Sequence, residues 1–104
     1  MPATLSPDRL PPHNADAEAA VLGACLLDPA ALDLTLDSLR ADDFFRNAHQ
    51  KTYQAIADLH KGNRPVDQVT VQDWLASRGM LEAVGGPIGL AGLTEKVASA
   101  SNVE

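Results

Sequence analysis

The chain has 104 residues, of which 45% are hydrophobic and 21% are charged. This length suits a single compact domain, and the ordinary composition excludes an intrinsically disordered or fibrous protein. Eight Lys and Arg residues against 14 Asp and Glu residues give a formal net charge of −6, which argues against direct contact with nucleic-acid phosphates and suits a basic protein partner.

The first half of the chain begins with a proline-rich stretch and continues with two predicted helices. Residues 1–13 contain four prolines and no apolar periodicity, which predicts a flexible leader. A helix is predicted over 15–27, because Asn14 can cap it and a broad apolar stripe follows at spacings of three and four. A shorter helix is predicted over 29–39, with Asp28 as its cap.

The middle of the chain predicts an aromatic junction and a third helix. Phe44 and Phe45 are expected to anchor the junction to the core, because two exposed rings would leave a large apolar area in water. A helix over 47–61 follows, and Gly62 supplies its end.

The last third predicts two weaker helices. One covers about 71–78, with Thr70 as the cap and Asp73 completing a capping box. Another begins at Pro87, and its two internal glycines weaken it by about 1 kcal/mol each relative to Ala. With aromatic residues at only 4% and no alternation of period two, we predict an all-α fold, a compact orthogonal helical bundle.

Recognisable catalytic and metal-binding motifs are missing from the sequence. A phosphate-binding P-loop needs a glycine-rich turn that ends in Gly-Lys-Ser/Thr, and none is present. The three histidines and the single Cys25 are too widely spread along the chain to form a zinc signature. The adjacent acids Asp42 and Asp43 are better explained as solvated or capping groups than as general acid–base catalysts. We therefore expect no catalytic, cofactor-binding or metal-ligating residue in these 104 residues.

The sequence also indicates a compartment. Cys25 lies in an apolar run, and a lone thiol can form no internal disulfide, so it is expected to be a buried structural group. There is no basic segment followed by an apolar stretch and no run of eighteen apolar residues, so neither export nor membrane insertion is expected. These features favour the cytoplasm.

A DNA-binding helix-turn-helix is the alternative function. Residues 47–79 comprise a helix, a glycine-containing turn and a second short helix, as that motif requires. The second helix carries Asp73, which would meet phosphate, and the connection is longer than the tight turn of the motif. This alternative therefore ranks below a protein-interaction domain.

A series of short motifs in one order resembles the N-terminal region of DnaB-type replicative DNA helicases, over about residues 10–104. The matching positions are Leu10-Pro11-Pro12-His13, Ala17-Glu18, Val21-Leu22-Gly23, Leu26, Asp43-Phe44-Phe45, His49, Tyr53, Gly62…Pro65-Val66-Asp67, Val69-Thr70-Val71, Leu75, Gly79, Leu81, Gly85-Gly86, Leu90, Leu93 and Ser99…Asn102. Two positions depart from the family pattern: Gly89 stands where an aromatic is common, and Ala98 stands where a proline is common.

This resemblance implies a docking domain on one face of a hexameric ring. It would pair with neighbouring protomers and receive the helicase-binding domain of the DnaG-type primase, and a helicase loader or initiator is a further partner that it allows. In the family a helical hairpin, a linker and a RecA-like ATPase follow, so ATP, Mg²⁺ and unwinding belong to that motor. The sequence is expected to end at Glu104 inside the hairpin, so these residues alone would not be an enzyme.

The resemblance and the apolar pattern together divide the chain into two parts. We expect a globular helical head over 14–82 and the start of an interaction hairpin over 83–104. The expected interface lies on the hairpin helix, which the pattern leaves without a core of its own. Because these residues would not include the second helix of the hairpin, this chain alone is expected to be monomeric or weakly dimeric. The interface residues are Ile88, Leu90, Leu93 and Val97. The motif expected to be structural consists of Asp43, Phe44, Phe45, His49, Tyr53 and Asp67, with His49 and Tyr53 expected to face the core or to bond to each other.

Overall fold

The computed structural model describes the backbone of residues 14–102 and the side chains of residues 14–97. The expected leader over 1–13 and the Ala98 departure lie outside these described parts. The described residues form helices and contain no strand, which confirms the all-α prediction. The helices are α1 (Ala15–Leu27), α2 (Pro29–Ser38), α3 (Asn47–Lys61), α4 (Gln68–Ser77) and α5 (Gly86–Asn102), with short 3-10 helices at Ala41–Asp43 and Glu82–Val84.

The turn between α1 and α2 consists of one residue. Asn14 caps α1 by accepting a hydrogen bond of 2.9 Å from the Ala17 amide. Asp28 ends α1, since its amide bonds to the Ala24 carbonyl, and it also caps α2 by accepting from the Ala30 amide at 3.0 Å. Both caps are those that the sequence predicts.

Helix α4 begins earlier than the sequence pattern indicates. Its cap is Asp67, whose Oδ1 accepts from the Thr70 amide at 2.9 Å while Thr70 Oγ1 accepts from the Asp67 amide at 2.9 Å. The prediction of Thr70 as the cap and Asp73 as its partner is therefore wrong. The reciprocal pair that defines a capping box lies three residues upstream.

Helix α1 lies at the centre and packs against α2, α3 and α5. Aliphatic side chains from all five helices meet in one buried cluster, as the low aromatic content predicts. Its largest fully buried apolar members are Phe44, Leu22, Ile56, Leu59, Leu75, Leu90, Val71 and Cys25. The burial of Cys25 confirms its expected structural role, and burial raises the pKa of its thiol.

Candidate interaction site

The inner face of α5 belongs to the core of this chain. Leu90 and Leu93 are buried in the same cluster as Leu22 of α1. The two helices approach so closely that a Cβ at Gly23 would overlap the Leu93 carbonyl oxygen. The expectation that α5 lacks a core is therefore wrong, and Leu90 and Leu93 are not available to a partner.

The outer face of α5 is open. Ile88 is 85% exposed, and Glu95, two turns further along the same side of the helix, is exposed as well. Gly92 lies between them, and a Cβ built on it would contact nothing. Val97 is half-buried near Gly23 on the inner side. Of the four residues expected at an interface, only Ile88 is presented outward.

A buried carboxylate ties α1 to the start of α3. Glu18 is only 1% exposed and accepts hydrogen bonds from the backbone amides of Phe45 and Arg46. His49 Nδ1 lies 2.7 Å from the Glu18 Oε1 oxygen. These three contacts give the carboxylate the hydrogen-bonding partners that a buried charge requires.

Hydrogen bonds of Asp43 and Tyr53 stabilise the first 3-10 helix and the packing of α3 against the end of α2. Asp43 Oδ2 accepts from the Arg40 amide at 2.7 Å. Tyr53 donates its hydroxyl to the Leu39 carbonyl at 2.7 Å, and the Thr35 carbonyl lies 3.2 Å away. Burial raises the pKa of Tyr53 to about 12, with smaller contributions from Cys25 and Asp43.

The two phenylalanines have different surroundings. The Phe44 ring is buried, with its centroid 5.0 Å from that of Tyr53, whereas Phe45 is 60% exposed. The expectation that both rings anchor the junction is wrong for Phe45, whose backbone amide contacts Glu18. His49 and Tyr53 bond to α1 and α2 respectively and not to each other.

A groove runs between the α1–α2 turn and the connection from α3 to α4. It has a volume of about 360 Å³ and is lined mainly by apolar side chains, including Leu26, Leu32 and Val66. Asp28 and His60 also line it. It is an apolar recess with polar groups around it, as a site for a partner side chain would be.

The helix pair proposed as a helix-turn-helix has a different arrangement. Residues 62–67 separate α3 from α4, a longer connection than the motif uses. Trp74 donates its indole N–H to Asp58 at 2.8 Å, and the Arg78 guanidinium lies 3.9 Å above its ring. Arg78, the cation at the C-terminal end of α4, is thus engaged within the chain.

The described residues offer neither a metal-binding cluster nor a helix that could span a membrane. The side chains of residues 14–97 include no group of three or more His, Cys, Asp or Glu placed to hold a metal ion. In the same part of the chain, no helix combines the length and the apolar content that crossing a bilayer requires.

The family model for the DnaB-like helicase N terminal domain matches residues 10–104. The chain belongs to this family. The resemblance inferred from the spaced motifs is therefore confirmed, and the buried contacts of Glu18, Tyr53 and Leu90 describe how one DnaB N-terminal domain is held together.

Individual relatives agree with the family assignment. The chain is 48% identical over 97 residues to the replicative DNA helicase DnaC of Bacillus subtilis. It is 45% identical over 97 residues to the replicative DNA helicase DnaB of Geobacillus stearothermophilus. Each alignment covers 93% of this chain but only 21% of the relative. The chain therefore spans about a fifth of the length of these relatives.

A solved structure shares the fold. The crystal structure of the N-terminal domain of DnaB helicase from Mycobacterium tuberculosis superposes with a TM-score of 0.80 at 43% sequence identity. The match covers 85% of this chain and 61% of that one.

Sequence reasoning missed the role of Glu18 in this DnaB N-terminal domain. It lies in the first turn of α1, where the helix dipole favours a negative charge. Its three partners lie 27 to 31 residues away along the chain. The available signal was its place on the apolar stripe, between Ala17 and Ala19, where a charged residue needs a buried partner.

Proposed function

We propose that this domain is a non-catalytic docking module of a hexameric replicative DNA helicase in a bacterial replisome. It would mediate association between protomers and receive a DnaG-type primase, and a helicase loader or initiator would be a further partner. ATP and Mg²⁺ would act in a separate motor domain of the whole protein. The observation that carries the proposal is the family match over residues 10–104.

The outer face of α5 supports a role in association. Ile88 is an exposed aliphatic side chain, and Gly92, one turn further along the helix, adds no side chain that would keep a second helix at a distance. Within residues 83–97, Leu90 and Leu93 are thus buried in the core of this chain, whereas Ile88 lies on the open face of the helix. A single helix offers limited area, so we expect this chain to self-associate only weakly.

Sedimentation velocity at several concentrations tests the association. We expect weak, concentration-dependent dimers, and we expect Ile88→Asp to shift the chain to monomer. Val69→Asp is the matched control, because Val69 is also an exposed aliphatic residue but lies on α4. A stable hexamer of this chain would contradict the expected weakness of the association, and equal effects of the two variants would contradict the role of the outer face of α5.

Titration calorimetry tests primase docking. The cognate primase C-terminal domain should bind the wild-type chain with measurable heat, and Val69→Asp should leave that affinity unchanged. The absence of binding at micromolar concentrations of both proteins would remove primase from the proposed partners.

A further inference from the structure

The outward face of α2 combines exposed leucines with carboxylates. We define the α2 face as Leu27, Asp28, Asp33, Leu34 and Asp37, all of which are exposed. Leu27 and Leu34 are 58% and 59% exposed. The opposite side of α2, with Leu32 and Thr35, is buried in the chain. The α2 face therefore exposes apolar side chains that the fold does not use.

The apolar groove adjoins this face. Leu27 and Asp28 belong to both the α2 face and the groove wall. His60, on the opposite wall, places its Nε2 atom 3.4 Å from Asp33 Oδ1. The leucines, the carboxylates and the groove thus form one continuous surface, with a recess of about 360 Å³ for an apolar side chain.

On the side of this surface formed by α1 and α2, every charged side chain is acidic. Residues 14–39 contain five Asp or Glu and no Lys or Arg. Asp16 is paired with Lys96 at 3.0 Å and Glu18 is buried. The other three carboxylates belong to the α2 face, where Asp28 also caps the helix and Asp33 lies beside His60. Arg64, on the far wall of the groove, is the nearest cation among the lining residues.

We propose that the α2 face and its groove bind a basic amphipathic segment of another protein. An apolar side chain of that segment would occupy the groove, and its Lys or Arg residues would approach Asp28, Asp33 and Asp37. A symmetric dimer through this face would bring like charges together, and nucleic acid would bring phosphates to carboxylates, so neither fits. The inference rests on the proposed function as a docking domain and adds a second surface, separate from α5.

The probe is a fluorescein-labelled synthetic helix of fifteen residues, with leucines one turn apart and lysines beside them. A second peptide keeps the leucines and replaces each lysine with glutamate. Fluorescence polarisation should show binding of the lysine peptide alone. Asp37→Lys should weaken that binding about tenfold, because it reverses a charge at the rim. Lysine suits the last turn of α2, so the variant should fold normally.

The matched control is Asp73→Lys, which makes the same charge change on the exposed side of α4 and should alter the affinity less than twofold. Leu34→Ser should also weaken the binding. Three results would overturn the proposal: the wild-type chain fails to bind the lysine peptide, both peptides bind equally, or Asp37→Lys and Asp73→Lys have the same effect. Loss of self-association in Asp37→Lys would identify a second copy as the occupant and also overturn it. Failure of the α5 proposal alone would appear in the Ile88→Asp sedimentation and leave the peptide result intact.

Discussion

Glu18 is a buried residue at which a small chemical change should lower the stability of the domain. Glu18→Gln keeps the shape of the side chain but removes the charge and presents an amide N–H₂ to a site built from hydrogen-bond donors. Losing charge-assisted hydrogen bonds at a buried position should lower the free energy of unfolding by about 2 kcal/mol. Urea denaturation followed by circular dichroism measures this.

Asp16→Asn is the control for the buried carboxylate. Asp16 lies two residues earlier in α1 and pairs with Lys96 at the surface. Exposed ion pairs contribute about 0.2–1 kcal/mol to the free energy of unfolding. Asp16→Asn should therefore have a smaller effect than Glu18→Gln. A change of equal size in the two variants would show that the burial of Glu18 has no energetic consequence.

The titration of Tyr53 predicts how the stability of the domain depends on pH under alkaline conditions. Its phenol is buried and donates to the carbonyl at the end of α2, and its pKa rises from 10.0 to about 12. The folded state therefore holds the proton when the unfolded state has lost it, so stability is fully present below pH 10 and falls as the pH rises through about 12. The buried Cys25 thiol, whose pKa is raised from 9.0, adds to the same decline from a lower starting pH.

Absorbance at the phenolate band checks this titration directly, because the chain has one tyrosine. In the native protein the phenolate should appear near pH 12, and in concentrated urea near the ordinary value of about 10. Cys25→Ala should change the pKa of Tyr53 only slightly, because Cys25 contributes less to the raised pKa than burial does. Coincident titrations in the native and unfolded states would refute the role of burial.

At the scale of elements, the contact between α1 and α5 depends on Gly23. A methyl group there would overlap the Leu93 carbonyl oxygen and the Val97 side chain, so the two helices must separate to accept it. Gly23→Ala should lower the free energy of unfolding by about 1–3 kcal/mol, as overpacking in a core does.

Gly92→Ala is the matched substitution on the open side of α5, where a new Cβ contacts nothing. It should raise the free energy of unfolding by about 0.5–1 kcal/mol, since alanine favours a helix interior over glycine. Chemical denaturation of both variants gives the comparison. Opposite signs are expected, and two destabilised proteins would contradict the described packing of α5.

The helices differ in how far local sequence determines them. The bounds of α1 and α3 were predicted correctly because each has a strong start or stop signal next to a regular apolar stripe. The start of α4 was missed because both Asp67 and Thr70 are good caps, and the choice depends on backbone geometry. The packing of α5 was missed because periodicity reveals an apolar face but not which surface covers it. The sequence therefore identified Ile88 together with three residues of the inner face.

At the scale of the whole molecule, charge and apolar surface are distributed unevenly. The α2 face carries carboxylates with leucines, while Lys61, Arg64 and Arg78 lie on or beside α3 and α4. The net charge of −6 is thus not spread evenly. The composition predicted a basic protein partner, but only the fold brings Leu27, Leu34 and the groove together.

This distribution also predicts how the domain behaves toward DNA. Duplex binding requires clustered cations that replace the counterions of phosphate, and Arg78, the cation closest to the proposed recognition helix, lies over Trp74 and near Asp58. We expect no gel shift of a duplex oligonucleotide even at about 50 mM salt, where phosphate contacts are strong. Arg78→Ala should not change this result, because that side chain is engaged within the chain. Tight binding that weakens steeply with added salt and is lost in Arg78→Ala would instead support the helix-turn-helix alternative. Arg78 would then have to leave Trp74 on α4 and Asp58 on α3 to reach the phosphates.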